Sequence, residues 1–434
     1  MSRMQPVNVF VFPCGSEVGL EIHRALSQSK HVVLFGGSSA TDCGELIFER
    51  FVGNLPFAGS DGLLPALQSV IEAWKIDFIF PAHDTVVEEF ARWQESGLLG
   101  ATQVVGSSAA ASTLARSKAA TYTRLHGVIE TPRVYESVDE IDHYPVFLKP
   151  DIGQGAKGTF TAYTREAVMF YRGLDPSLLI LEHLPGREFT VDCFSDSQGA
   201  LLFANGRERA RILNGISAAT KANGDPRFSE LARRIHAEVG FRGGWFFQVK
   251  ERRDGTLVLM EIAARIAGAS CFQRIRGVNL ALLSLFDRLG MHVDLLENAA
   301  PVQMDRCLQN RFRLEFEYDI VYVDLDDTVL LSGRPNFRLL ASLYALKDQG
   351  KELVLLTRHR ARHGRAPSDS LDGAAVHPAL FDRIIDVAED ESKSAKIATR
   401  RAIFIDDSFR ERRDVAIRCR VPVFDLSEAI EIFG

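Results

Sequence analysis

Between Val321 and Val329 the chain reads VYVDLDDTV, an apolar run that ends in Asp324, Asp326, Asp327 and Thr328. Alternate residues of a strand share a face, so Asp324 and Asp326 would stand side by side, one as a nucleophile and the other as an acid and base. Thr357 closes a second apolar run, KELVLLT, and Asp406-Asp407-Ser408 closes a third, AIFI. Between them DESKSAK carries Lys393, with Lys396 as the alternative lysine. Asp407 would complete a Mg²⁺ site with Asp324, and the lysine would screen the crowded carboxylates and a phosphate. Glu411 is an extra acid. His359, Arg360, Arg362, His363 and Arg365 follow Thr357 as a basic patch, either a phosphate-side binding loop or a solvated one.

A second constellation lies upstream. Lys149 ends the apolar run VFLK and is followed by Gly153, Gly155, Lys157 and Gly158. Glycines let backbone N–H groups approach phosphate oxygens, and lysines add positive charge. Lys118 precedes this loop; Glu182, Glu188, Gln248 and Glu261 follow it. Arg207, Arg209 and Arg211 alternate, so on a regular strand all three face one side, as a grip on carboxylate or phosphate or as a solvated face.

These groups need a frame. VNVFVF, a Gly/Ser turn, a helical stretch and HVVLFGG make a βαβ unit; LLPALQSVIEAWK reads as a helix and IDFIFPAHD as a strand. Residues 1–104 are therefore expected to form a doubly wound α/β domain, with Ser16, Glu17, His83 and Asp84 either at a ligand crevice beyond its strands or, for Ser16, His83 and Asp84, only turning the chain and starting helices. Residues 105–305 change to an α+β texture. Hairpin-like alternation runs through LLILEHLPGREFTVDCF, and WFFQVKE and TLVLMEI join through Asp254-Gly255, a tight-turn pair. A linker is expected around 296–315. From 317 to 434 apolar strands alternate with helices, including NFRLLASLYALKDQG and a lysine-bearing helix after Glu389. The spacers around Thr357 are too short for a substantial lid, so this site would accept a bulky substrate or borrow a cover. The fold class is multidomain, α/β and α+β.

The ordered upstream set resembles the ATP-grasp superfamily, in the branch of biotin carboxylase and carbamoyl phosphate synthetase, preceded by the Rossmann-like domain usual there. The resemblance implies that Lys118, Lys149 and the loop Gly153, Gly155, Lys157 and Gly158 hold ATP phosphates. It also implies that Glu182 and Leu184 meet adenine, Glu188 meets ribose, and Gln248 and Glu261 carry one or two Mg²⁺. Arg265 matches the family arginine for the acceptor. Where the family has Glu-x-Asn-x-Arg, this chain has Glu261-Ile262-Ala263-Ala264-Arg265, so one metal contact is missing. The implied reaction is phosphorylation of a carboxylate by ATP and attack of an amine on the acyl phosphate. The rear set resembles the haloacid dehalogenase (HAD) superfamily of aspartyl-phosphate phosphatases. It implies Asp324, Asp326, Thr357 and Lys393 as catalytic residues and Asp324, Asp326 and Asp407 around one Mg²⁺. Fusions of this kind resemble tellurite-resistance-associated ATP-grasp proteins. Two other readings remain open: an ATP-grasp kinase whose product the rear domain dephosphorylates, and a nucleotide sensor that controls the phosphatase.

The composition fits this picture. With 434 residues the chain is too long for one core, and 46% hydrophobic with 25% charged residues is globular. A formal charge of −6 gives no global attraction to nucleic acid or an anionic membrane. The N-terminus lacks a secretory pattern, no run spans a bilayer, and the six cysteines are scattered, which points to the cytoplasm. The expected partners are ATP, a small carboxylate, an amine and a phosphorylated metabolite, without nucleic acid polymer or membrane, and with a homodimer as the candidate assembly.

Overall fold

The computed structural model describes residues 5–213, 215–298, 302–397 and 401–433, which leaves parts of the expected linker and of the lysine-bearing helix outside the described residues. The chain divides into two compact units, Met1–Cys307 and Leu308–Gly434. Among the described residues no helix is long and apolar enough to cross a membrane.

The first unit begins with a five-stranded parallel sheet in the order Phe51–Val52, Val32–Gly37, Val7–Phe12, Phe78–Pro81, Gln103–Val104. From Val9 to Phe12 its central strand is buried because helices cover both faces, which explains that apolar run. Ser16 caps the helix Glu17–Leu26, and His83 caps the helix Asp84–Glu95, so the carboxyl ends of two adjacent strands open onto helix N-termini.

Two further sheets follow. A four-stranded one runs Val134–Tyr135, Leu179–Glu182, Val146–Lys149, Phe160–Ala162. A six-stranded antiparallel one runs Leu257–Ala263, Gly243–Glu251, Glu188–Ser195, Leu201–Leu213, Ile216–Asn223, Gln303–Asp305. The hairpin through Asp254 and Gly255 is present, with Gly255 at φ +83. The hairpin-like alternation across LILEHLPGREFTVDCF is not a hairpin: Leu179–Glu182 and Glu188–Ser195 lie in different sheets. Pro185-Gly186 carries the chain between them, and Gly186 packs so closely on the Glu251 backbone that a Cβ would clash. Part of the expected linker is also ordered, since Gln303–Asp305 pairs with Ile216–Asn223.

One core joins the first sheet to the six-stranded sheet: Val9, Val11 and Ile22 share it with Phe194, Phe203, Ile266 and Leu285. Trp245, Phe247, Phe189 and Phe228 fill the other face.

The second unit is a five-stranded parallel sheet in the order Arg383–Asp386, Glu352–Thr357, Ile320–Val323, Ala402–Ile405, Val423–Phe424. Helices Phe337–Asp348, Phe409–Cys419 and Leu426–Phe433 flank it. The lysine-bearing segment is a short 3₁₀ turn, Lys393–Lys396, rather than the expected helix over its described part; Ser392 caps the turn. Between Thr357 and Arg383 the chain makes only the short helices His359–His363 and Pro367–Gly373 and a turn at Pro378–Leu380.

Candidate active sites

In the first unit the six-stranded sheet places a row of polar side chains across four strands. Arg207 pairs in register with Thr190, Thr190 with Gln248, and Gln248 with Glu261. Residues opposite one another in an antiparallel sheet point to the same face. All four line a cleft of about 1150 Å³ whose other walls carry Lys118, Gly153, Gly155, Lys157 and Arg265, together with Ser16, Glu17, His83 and Asp84 of the first sheet. The cleft is therefore bounded by both halves of the first unit.

Lys118 begins a helix and donates from Nζ to the carbonyls of Asp151 and Gly153, 3.1 Å each, which ties it to the base of the glycine loop. In that loop Gly155, Ala156 and Gly158 have φ of +64, +56 and +68. A Cβ on Gly215 would lie 2.4 Å from the Gly155 carbonyl carbon, so only glycine at 215 lets the loop rest there. His83 also contacts the loop, through Gln154. Burial holds the His83 imidazole below its usual range.

Lys149 points into a neighbouring pocket of about 100 Å³ that it lines with Glu182, Leu184, Lys250 and Met260. A β-bulge explains its anchor. Gln248 pairs with Glu261 and Val249 with Leu259, so Met260 is the extra residue and its carbonyl leaves the ladder. That carbonyl accepts from Lys149 Nζ at 2.9 Å and from the Tyr122 hydroxyl at 2.7 Å. Burial pushes the Lys149 ammonium down to about 8, although Glu261 opposes the shift. Glu182 accepts from Arg252 at 2.9 Å.

Gly158 and Glu188 line neither space. Gly158 packs on Pro150, and Glu188 meets Arg209 at 2.9 Å and Lys250 at 3.9 Å. The three alternating arginines do not share one environment. Ala210 is the extra residue of a second bulge, so the strand changes register between Arg209 and Arg211. Arg207 is buried on Asp192, at 2.7 Å from Nε, whereas Arg211 is half exposed on Asp305 and outside the cleft. Arg265 does line the cleft, but its fork is engaged: Nε and Nη2 reach Asp84 at 2.7 and 2.6 Å, and Nη1 donates to the Ile266 carbonyl. Burial raises the Asp84 carboxyl, but the charge and hydrogen bonds of Arg265, with smaller help from His83 and Lys118, together hold it below the usual carboxylate range. An acceptor carboxylate would find that fork already occupied.

Sequence reasoning passed over Thr190. Its Oγ1 and Arg207 Nη1 are buried and have no hydrogen-bond partner among the described residues. The alternation of Glu188, Thr190 and Asp192 was the available signal, since it puts Thr190 on the face of Gln248. Ala263, two residues beyond Glu261, also lines the cleft and offers it only a methyl group.

In the second unit, Asp324, Thr357 and Asp406 follow or end three adjacent parallel strands, at the point where connections leave the sheet in opposite directions. Lys393 Nζ reaches Asp324 at 2.6 Å and Asp406 at 2.7 Å, with all three nearly inaccessible to solvent. Lys396 instead pairs with Glu391 on the exterior. Burial, then the nearby Asp324 charge, pushes Asp406 up to about 7; burial likewise raises Asp324 against the pull of Lys393. One oxygen from each of Asp324, Asp406 and Asp407 lies within 4.8 Å of the others. That all-oxygen donor set fits Mg²⁺. Thr328 Oγ1 accepts from the Asp407 backbone N–H at 3.1 Å, and Thr357 Oγ1 from that of His359 at 3.2 Å. Glu411 pairs with Arg358. The expected metal residues are not all side by side. Asp326 turns away from these carboxylates toward His359, at 2.7 Å, and its place in the cluster is taken by Asp406.

Comparison with known proteins bears on the first unit. Residues 175–310 match the family model described as ATP-grasp in the biosynthetic pathway with Ter operon. No curated protein sequence matches. Biotin carboxylase from Campylobacter jejuni is similar in structure, with TM-score 0.56, 15% identity, and coverage of 67% of this chain and 72% of that one. N5-carboxyaminoimidazole synthetase from Staphylococcus aureus, complexed with ADP, gives 0.58, 15%, 70% and 83%. L-amino acid ligase from Bacillus licheniformis gives 0.53, 17%, 68% and 76%. The sheets, the cleft and the family match together identify the fold of the first unit as that of the ATP-grasp proteins.

Proposed function

We propose that the chain is a bifunctional enzyme: an ATP- and Mg²⁺-dependent carboxylate–amine ligase, followed by a HAD-type phosphatase acting on a related small metabolite. For the ligase, the observation that carries the reading is the row Arg207, Thr190, Gln248, Glu261 beneath the glycine loop. Lys149, Glu182 and Leu184 form the adjoining pocket in which the nucleotide base and inner phosphates would sit. Gln248 and Glu261 would hold Mg²⁺, which supplies charge neutralisation on the phosphates. Arg207 Nη1 and Thr190 Oγ1, two buried donors without a hydrogen-bond partner among the described residues, would take the acceptor carboxylate or the transferring phosphoryl group. The carboxylate oxygen attacks the terminal phosphorus of ATP, ADP leaves, and an amine then displaces phosphate to form the amide. An L-amino acid ligase and an ADP-bound N5-carboxyaminoimidazole synthetase are similar to the first unit in fold, which supports the reaction class.

For the phosphatase, the carrying observation is the Asp324–Lys393–Asp406 cluster with Asp407 at the ends of adjacent strands. Asp324 would attack the phosphate ester and form an aspartyl phosphate. Asp326 would protonate the leaving oxygen and then activate water, while Lys393 and Mg²⁺ held by Asp324 and Asp407 balance the charge.

Ala263 and the engagement of Arg265 by Asp84 favour one alternative, a nucleotide-sensing first unit. Incubation with Mg²⁺, ATP and a pool of carboxylates and amines decides between them. Amide formation with stoichiometric ADP supports the ligase, a phosphorylated alcohol supports a kinase, and bound nucleotide without turnover supports the sensor. Asp324→Asn is expected to abolish hydrolysis of an aryl phosphate while leaving ATP binding unchanged; persistent hydrolysis would exclude Asp324 as nucleophile.

A further inference from the structure

Asp326 stands in a second cluster. Its Oδ1 lies 2.7 Å from His359 Nδ1 and 3.6 Å from His363 Nε2. Its Oδ2 is buried and has no hydrogen-bond partner among the described residues. One donor atom from each of Asp326, His359 and His363 lies within 4.8 Å of the other two. The two histidines begin and end the helix His359–His363, four positions apart, so both rings stand on one face, with centroids 4.7 Å apart. Ser370 Oγ engages His359 Nε2 at 2.6 Å, which fixes the ring and leaves Nδ1 as the atom offered to Asp326. Two of the cations nearby are paired, Arg358 with Glu411 and Arg360 with Asp386.

We propose that Asp326, His359 and His363 form a site for a divalent transition metal of the zinc class, separate from the oxygen site of Asp324 and Asp407, and that its occupation blocks the phosphatase. Two imidazoles and one carboxylate favour zinc-like ions over Mg²⁺, which prefers oxygen ligands alone. Three protein ligands leave a fourth position for water. Donors around a tetrahedral zinc stand roughly 3.3 Å apart, given bonds near 2.0–2.1 Å. The separation of Asp326 and His359 must therefore open by about half an ångström, within the reach of a side-chain rotation. The metal would take up the carboxylate that otherwise exchanges protons with the leaving group. That inhibitory consequence rests on the phosphatase reading; the site does not.

The test titrates the full chain with Co²⁺ in excess Mg²⁺ and follows visible absorption. The wild type is expected to bind one Co²⁺ with the intense bands of a low-coordinate ligand field, and Zn²⁺ should erase them. His363→Gln, at a half-exposed position, should keep its far-UV circular dichroism and bind at least tenfold more weakly. Asp407→Asn should leave the titration unchanged. Identical titrations of wild type and His363→Gln, or loss confined to Asp407→Asn, would overturn the site. Zn²⁺ should also inhibit aryl phosphate hydrolysis at least tenfold more strongly in the wild type than in His363→Gln; equal inhibition would overturn the blocking role. Absence of hydrolysis from the wild type would sink the phosphatase reading and the blocking role, while the Co²⁺ titration still decides the site.

Discussion

Lys149 sits in a site where its charge is costly until an anion arrives. Burial holds its ammonium down to about 8, so above that pH the free protein carries a neutral amine there. A bound phosphate would raise this value again, and nucleotide binding would then take up a proton. ATP affinity is accordingly expected to be flat below pH 8 and to fall by up to about tenfold per unit above it. Calorimetry in buffers of different ionisation heat should show proton uptake near pH 9, and Lys149→Arg should remove it; pH-independent affinity would exclude contact between Lys149 and phosphate. Lys393 poses the opposite problem, since it holds two buried carboxylates together. Lys393→Met should destabilise the second unit by on the order of 3 kcal/mol, because it leaves buried charge unpaired. The loss should grow as pH rises through 7, where Asp406 ionises.

At the level of elements, two bulges decide what the strands present. The bulge at Met260 frees a carbonyl for Lys149 and Tyr122, and the one at Ala210 separates Arg209 from Arg211. Neither is legible in the sequence: Arg207, Arg209 and Arg211 alternate without a break around Ala210, and Leu257-Val258-Leu259-Met260 is a continuous apolar run with no phase for an extra residue to shift. The glycine loop and the strand end near Gly215 depend on one another through close backbone approach. Gly215→Ala should displace the loop, increase proteolysis between Gly153 and Gly158, and weaken ATP binding about tenfold with little change in melting temperature. Unchanged cleavage and affinity would show that the loop does not need this contact.

At the level of the whole molecule, Trp74, Trp93 and Trp245 all belong to the first unit, and the second has none. Tryptophan fluorescence therefore reports the unfolding of one unit and far-UV circular dichroism reports both. Mg²⁺ and ATP at a hundred times Kd should stabilise the fluorescence-detected transition by about 2.7 kcal/mol. Lys393→Met should leave that transition in place and move only the remaining dichroism change. A coincident shift of both probes would show that the two units unfold as one.

The sequence alone made the strand-end aspartates, the glycine loop and the change of texture along the chain legible. Buried parallel strands need continuous apolar runs, and reactive groups gather where such runs end. It was equally sufficient for the Asp254-Gly255 turn, whose backbone demands are local. It could not separate Leu179–Glu182 from Glu188–Ser195, because alternation says which face is buried but not which sheet a strand joins. Nor could it choose Lys393 over Lys396, pair Arg265 with Asp84, or turn Asp326 toward His359 and His363. These partners lie 13 to 181 residues apart in the chain. Only the packing of separate elements brings their charges within reach, and at those distances the neighbour, rather than the residue type, fixes what each side chain can do.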